Sequence, residues 1–246
     1  MDSSPPLIVE RKDAILSIRL NNIEKRNALN SEMMGIATAA LENIGEYPDI
    51  RAVVVSGKGD NFCSGADVNN WNPEELQVML SAIVNCSVPT IAVVNGFCFG
   101  GGMGLICSCD FILASSDSKF GFPEVRLGMI PAIISPYVNR KLDLSRMREL
   151  FITGEKFGVE KALDLGFLYA SYDEDFSSSL ENLTSLITKG GPRAQYKIKE
   201  LLNGKILSSK TIDADLAAFI DEIKQSSEGK EGISAFLDKR LPNWRD

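Results

Sequence analysis

"CFGGGMGLICSCDF" runs from Cys98 to Phe111 and carries glycine at positions 100, 101, 102 and 104. It follows a strand-like apolar run, "TIAVVNG" (Thr90 to Gly96), and opens a helical stretch. Glycine adopts backbone angles closed to other residues and lets a ligand come close to the main chain. The start of a helix presents N–H groups with no partner inside the helix, and its dipole favours negative charge. The segment reads in two ways: a cradle of N–H groups around a reacting oxygen, or tight helix–strand packing that needs small residues. Two phosphate motifs are excluded here. Leu105 stands where G-x-G-x-x-G requires its third glycine, and no G-x-x-x-x-G-K-[ST] occurs.

Outward from this stretch, strand and helix patterns alternate, which predicts an α/β core. "AILSIRL" (Ala14 to Leu20) alternates apolar and polar residues, as a half-buried strand does. "AVVVSG" (Ala52 to Gly57) is a continuous β-branched run, expected to be buried on both faces. "FILAS" (Phe111 to Ser115) is a third strand after the glycines. "SEMMGIATAALENIG" reads as a helix with Ser31 as N-cap and Gly45 as its stop. "PEELQVMLSAIVN" (Pro73 to Asn85) is a second helix opening on proline. From about Ser145 the strand patterns run out and helical ones take over, so residues 170–246 are expected to be a helical region beside a core of residues 1–169.

Composition narrows the chemistry. The chain has 246 residues, 44% of them hydrophobic and 24% charged, with a formal net charge of −7. These are the proportions of a globular protein, and the acidic balance disfavours nucleic acid and anionic membrane as partners. "MDSSPPLIVE" lacks the basic and apolar regions of a secretory signal, and an odd number of cysteines, five, with Cys98, Cys107 and Cys109 in or beside apolar segments, fits a reducing, cytoplasmic setting. The sequence contains no histidine. That removes Ser-His-Asp and Cys-His catalysis and the commonest zinc sites, and leaves acid–base work to Glu, Asp, Lys, Tyr or Cys. No metal or redox cofactor is expected.

Two further segments carry candidate chemistry. "FCSGADV" (Phe62 to Val68) follows a buried strand and could supply a second backbone donor, although any strand-to-loop turn uses such residues. "FGFPEVRLGMIPAIISPYV" (Phe120 to Val138) holds Glu124 among apolar residues. Glu124 is either a desolvated base with a raised pKa or one half of an ion pair with Arg126 or Arg140.

Taken in order, "KRNALN" (Lys25 to Asn30), "FCSGADV", "VNGFCFGGGMGL", "CDFILAS", "KFGFPEVRLGMIP" and "GISAFLDKR" resemble the crotonase family of enoyl-CoA hydratases and isomerases. The resemblance spans nearly the whole chain. It implies an α/β spiral of ββα repeats with a C-terminal helical region used for trimer assembly, trimers often pairing into hexamers. It implies an acyl-CoA thioester as substrate, in the sphere of fatty-acid metabolism. By position, the backbone N–H groups of Ala66 and Gly101 would hold the thioester oxygen as it becomes an enolate. Coenzyme A would run past Lys25, Arg26, Ala28, Ala66, Asp67, Val68 and Asn69. Phe236 and Lys239 match the C-terminal pattern that reaches coenzyme A, that of a neighbouring subunit included. Asp110 follows the family's "CD" pattern and reads as structural.

One departure matters. Typical hydratases carry two glutamates, one in the glycine-rich helix and one in the "PE" segment. Glu124 matches the second, whereas the first position is Gly104. Three readings stay open. The favoured one is a single-glutamate hydratase, with strings similar to those of bacterial 3-methylglutaconyl-CoA hydratases of leucine breakdown. The others are a Δ3,Δ2-enoyl-CoA isomerase with Glu124 as its single base, and a non-catalytic acyl-CoA binder. The acyl pocket wall is expected from Trp71 to Ile83 and from Ile133 to Tyr137.

Overall fold

A computed structural model of the chain describes residues 5–67, 69–70, 72–205 and 216–245. The strands are β1 (Leu7–Lys12), β2 (Ile15–Leu20), β3 (Ala52–Gly57), β4 (Thr90–Val94), β5 (Phe97–Phe99), β6 (Phe111–Ser115), β7 (Lys119–Gly121), β8 (Lys156–Gly158) and β9 (Ala170–Tyr172). The helices are α1 (Ser31–Glu42), α2 (Pro73–Asn85), α3 (Gly101–Ser108), α4 (Ser135–Val138), α5 (Leu144–Thr153), α6 (Val159–Asp164), α7 (Ser177–Thr188), α8 (Pro192–Glu200), α9 (Leu216–Gln225) and α10 (Ser227–Leu237). A six-stranded sheet runs β1-β2-β3-β4-β6-β9, and a three-stranded one runs β5-β7-β8. The β1–β2 hairpin is antiparallel, and every later pairing in the large sheet is parallel.

Burial explains the reading of β3. Val53 and Val55 point into the larger core, while Ala52 and Val54 point into a second core on the other face. Side chains alternate along a strand, so a strand covered on both faces must be apolar throughout. α1, α2 and α3 supply the larger core, and Leu183 and Ile187 of α7 supply the second.

The chain winds in repeating turns. β4 enters the large sheet, β5 the small one, and α3 comes next; β6 and β7 repeat the pattern. One turn earlier β3 lies in the large sheet, and Cys63 joins the small sheet through a single parallel bridge to Cys98. Cys98 in turn pairs with Phe120 of β7. Cys63, Cys98 and Phe120 therefore form one row across three successive turns.

Several expectations are corrected. Strands do not run out at Ser145: β8 and β9 lie beyond it, and at three residues each they are too short to show alternation. β9, at the start of the region expected to be helical, joins the edge of the large sheet; helices alone come after it among the described residues. The cap of α1 is Asn30, whose side chain accepts from the Met33 N–H at 2.9 Å, not Ser31. Gly45 is not the stop, because α1 tightens into a 3-10 turn over Asn43–Glu46. No described helix is long and apolar enough to cross a membrane.

Asp110 is the structural residue that the sequence suggested. Its carboxylate accepts from the Thr90 N–H and hydroxyl at 2.8 and 3.0 Å and from the Lys199 ammonium at 2.6 Å. Lys199 is buried and also donates to the Val88 carbonyl, which fastens α8 to the sheet. Asp110→Ala is expected to lower the unfolding free energy by about 3–5 kcal/mol, because it strands a buried cation. Lys199→Met is expected to cost less, since Thr90 still bonds the carboxylate. Urea unfolding followed by circular dichroism checks the order of the two.

Candidate active site

The three residues of the row each lead into a site element. Ala66 stands three residues beyond Cys63, and Gly101 three residues beyond Cys98. Glu124 stands four beyond Phe120, in a 3-10 turn over Pro123–Leu127. Parallel pairing keeps these turns side by side, so the segments just past the three paired positions come together.

Local hydrogen bonding sets the direction of the first donor. The Leu29 N–H donates to the Gly65 carbonyl, and the Asp67 N–H donates to the Leu29 carbonyl, both at 2.8 Å. A parallel bridge of this kind uses the neighbours of Ala66 and leaves Ala66's own N–H on the opposite side. Gly101 is the first residue of α3, so its N–H has no partner within the helix. The two groups are close: a Cβ added to Gly101 would lie 3.3 Å from the Ala66 nitrogen. Gly65 at φ 115° and Gly100 at φ 51° provide backbone turns that side chains resist. A Cβ on Gly100 would also meet Glu124 Oε1 at 3.3 Å.

Glu124 lines a cavity of about 400 Å³ together with Ala66 and Gly101. Its Oε2 is buried and has no hydrogen-bond partner, and burial pushes its carboxyl above the ordinary carboxylate range. The ion-pair alternative does not hold. Arg126 Nε donates to the Gly154 carbonyl at 3.0 Å, and Arg140 donates to Asn203 Oδ1 at 2.6 Å. Glu124 forms no salt bridge among the described residues.

Gly104 lies one turn into α3 and is fully buried. A Cβ built there would run into the Ile134 side chain, with Ile134 Cβ at 2.9 Å and Leu80 Cδ1 at 3.2 Å. Isoleucine thus occupies the space that a side chain at position 104 would need. Sequence reading flagged the gap at Gly104 but not what fills it.

The segment expected to run along coenzyme A is ordered around Asn27. This buried residue sits at φ 56°, donates to the Lys58 and Asn61 carbonyls at 3.0 and 2.8 Å, and accepts from the Asn22 N–H at 2.9 Å. The sequence reading passed over it, although asparagine tolerates this conformation better than most residues. Arg26 adjoins it, also at positive φ, and its carbonyl accepts from the Ser64 N–H; Ala28 is buried. Lys25 Nζ bonds Asp67 Oδ2 at 2.7 Å, and that hydrogen bond holds the Asp67 carboxyl below its ordinary range. Asp67 Oδ1 accepts from the Asn69 N–H. Val68 and Trp71 lie outside the described residues. Of the expected pocket wall, Pro73, Leu76, Ile133 and Ile134 line the cavity, whereas Tyr137 bonds the Gln77 carbonyl instead. Phe236 is 82% exposed and Lys239 closes α10 at φ 56°; neither lines the cavity within this chain. Among the described residues, no group of three or more Cys, Asp or Glu is arranged to hold a metal ion.

Comparison with known proteins identifies the family. The sequence model for "Enoyl-CoA hydratase/isomerase" matches residues 10–246. The solved structure of Pseudomonas aeruginosa AtuE superposes with a TM-score of 0.92 at 30% identity, covering 98% of this chain and 100% of that one. A probable enoyl-CoA hydratase of Rhodobacter capsulatus is 29% identical over 96% of each chain. The 2,3-dehydroadipyl-CoA hydratase of Escherichia coli is 28% identical over 97% of this chain and 98% of its own. With the α/β fold, the turn-by-turn winding and nearly the whole length in agreement, the chain belongs to the enoyl-CoA hydratase/isomerase family and is an enzyme of that family.

Proposed function

We propose that this enzyme adds water across the double bond of a 2-enoyl-CoA. The observation that carries this reading is the convergence of the Ala66 N–H, the Gly101 N–H and the Glu124 carboxyl on one cavity. The two N–H groups donate to the thioester oxygen as negative charge develops on it. Each such preset donor is worth about 3–4 kcal/mol in the transition state, because it is aimed before the charge appears. Water's oxygen bonds to Cβ while Glu124 takes one of its protons; the electron pair moves through Cα to the thioester oxygen. Return of a proton to Cα collapses the enolate to the 3-hydroxyacyl thioester. A carboxyl with a raised pKa suits both halves of this exchange.

Addition of water makes no net change of oxidation state and needs only a group that takes and returns a proton, so the reading calls for no metal or redox cofactor. Lys25 and Arg26 would meet the coenzyme's phosphates. Exposed Phe236, Leu237 and Leu241 at the end of α10 support trimer assembly, in which Phe236 and Lys239 would face a neighbouring subunit's coenzyme A. Five free, buried cysteines suit a reducing compartment such as the cytoplasm.

The packing of Ile134 on Gly104 favours a second reading, isomerisation. Glu124 is the one carboxylate that lines the cavity among the described residues. A single base moves a double bond by taking a proton from Cα of a 3-enoyl-CoA and returning it at Cγ. Loss of ultraviolet absorbance from crotonyl-CoA identifies the hydratase. Gain of that absorbance from a 3-enoyl-CoA, without hydration, identifies the isomerase.

Glu124→Gln is expected to lower kcat by about 10²–10⁴-fold while acyl-CoA binding persists. The same variant is expected to be more heat-stable at neutral pH. The folded chain holds the Glu124 proton more tightly than the unfolded chain does, so ionisation above its raised pKa weighs against folding. That advantage should shrink as pH falls toward the ordinary glutamate value of 4.5. Thermal melts across pH check it. Gly104→Ala is expected to cost about 1–3 kcal/mol through overpacking, with Ile134→Ala in the same chain recovering part of the loss. Melting temperatures of the single and double variants decide this.

A further inference from the structure

The catalytic cavity has a walled interior and an apolar rim. Leu76 and Ile134 are buried and Ile133 is half-buried, and these form the interior beside Glu124, while Pro73 lines the cavity from an exposed position. Ser64 and Glu124 are the two lining residues with polar side chains, and no lysine or arginine lines the cavity among the described residues. Of the cations flanking the lining segments, Arg126 donates to the Gly154 carbonyl, Arg140 to Asn203 Oδ1 and Lys141 to the Asp110 carbonyl. At the rim, Leu127 is 68% exposed, Met129 48% and Ile130 76%, and all three also line the cavity. Large apolar side chains grouped at the mouth of an apolar cavity mark a surface that a ligand covers.

Resting on the acyl-CoA reading above, we infer that the enzyme selects uncharged acyl chains long enough to lie on Leu127 and Ile130, and that it rejects acyl chains ending in a carboxylate. The interior takes the first carbons beyond the thioester, and the rim takes the next ones. Each methylene that leaves water on the rim strengthens binding about fourfold, the equivalent of about 0.8 kcal/mol. A terminal carboxylate would give up its hydration in a cavity that offers no cation and already contains the Glu124 carboxylate. This argues against 3-methylglutaconyl-CoA, whose acyl group ends in a carboxylate, as the preferred substrate.

Calorimetry with saturated acyl-CoAs tests the subsite without depending on turnover. Octanoyl-CoA is expected to bind more tightly than butanoyl-CoA, and glutaryl-CoA about a hundredfold or more weaker than pentanoyl-CoA. In a Leu127→Ser, Ile130→Ser variant the octanoyl-to-butanoyl affinity ratio should fall about tenfold or more. Both residues are exposed, so the variant is not expected to fail in folding. Equal affinity for octanoyl- and butanoyl-CoA, an unchanged ratio in the variant, or glutaryl-CoA binding as well as pentanoyl-CoA would overturn the inference. Tail-dependent binding with no turnover of any enoyl-CoA would sink the hydration and isomerisation readings and leave the subsite standing. Absence of binding by every acyl-CoA would sink both.

Discussion

The row Cys63–Cys98–Phe120 is the constraint on which the site depends. It consists of a single bridge and a three-residue strand pairing, yet it fixes the relative height of three successive turns. What emerges beyond the row is then a matter of counting residues. Packing sets the tolerance: a Cβ on Gly102 would come within 2.8 Å of Cys63 Cβ and 3.2 Å of Cys98 Sγ. Glycine at 102 lets α3 seat directly on the two cysteines, which carries the start of the helix, and Gly101 with it, toward Ala66. The four glycines therefore serve both readings of the segment. Gly102 and Gly104 answer to packing, whereas Gly100 and Gly101 face the cavity.

Function here is set against stability at one carboxyl group. Glu124 has a buried oxygen with no partner, a state that folding alone would not favour. It persists because the surrounding elements hold the 3-10 turn in place. Its backbone carbonyl accepts from the Met129 N–H, Pro123 presets the entry, and Gly128 at φ 68° closes the turn. The charged group is thus held by main-chain geometry rather than by a counter-ion. That leaves the carboxyl available for proton exchange.

Much of this was legible in the residues, and the exceptions have physical causes. β3, β6 and α2 were read with the bounds they have in the structure, because continuous apolar runs and a proline start are strong local signals. β5, β7, β8 and β9 were not, since three residues cannot display a period and their pairing is decided by distant partners. Glu124 stood out from its apolar surroundings and the resemblance narrowed the backbone donors to Ala66 and Gly101, but the convergence of the three candidates could not have been derived from spacing along the chain. The repeat that brings them together is one of winding, not of sequence. Ile134 falls in the stretch expected to wall the acyl pocket, but its packing against Gly104 was not foreseen, because that contact joins residues thirty apart in the chain.

The attachment of α7 and α8 to the outer face of the large sheet bears on how the chain is made. Ala52, Val54, Ile91, Val93 and Leu113 are in place once β6 has formed, yet the residues that cover them, Leu183 and Ile187, are synthesised much later. The bond that locks this cover, Lys199 to Asp110, comes later still. A sheet that paired as it was made would keep one apolar face uncovered while some seventy residues were added, counted from Leu113 to Leu183. A nascent chain in that condition is a natural client for chaperones that shield exposed apolar strands. A chain cut short between Glu124 and Leu183 would contain the candidate catalytic groups but be prone to aggregate.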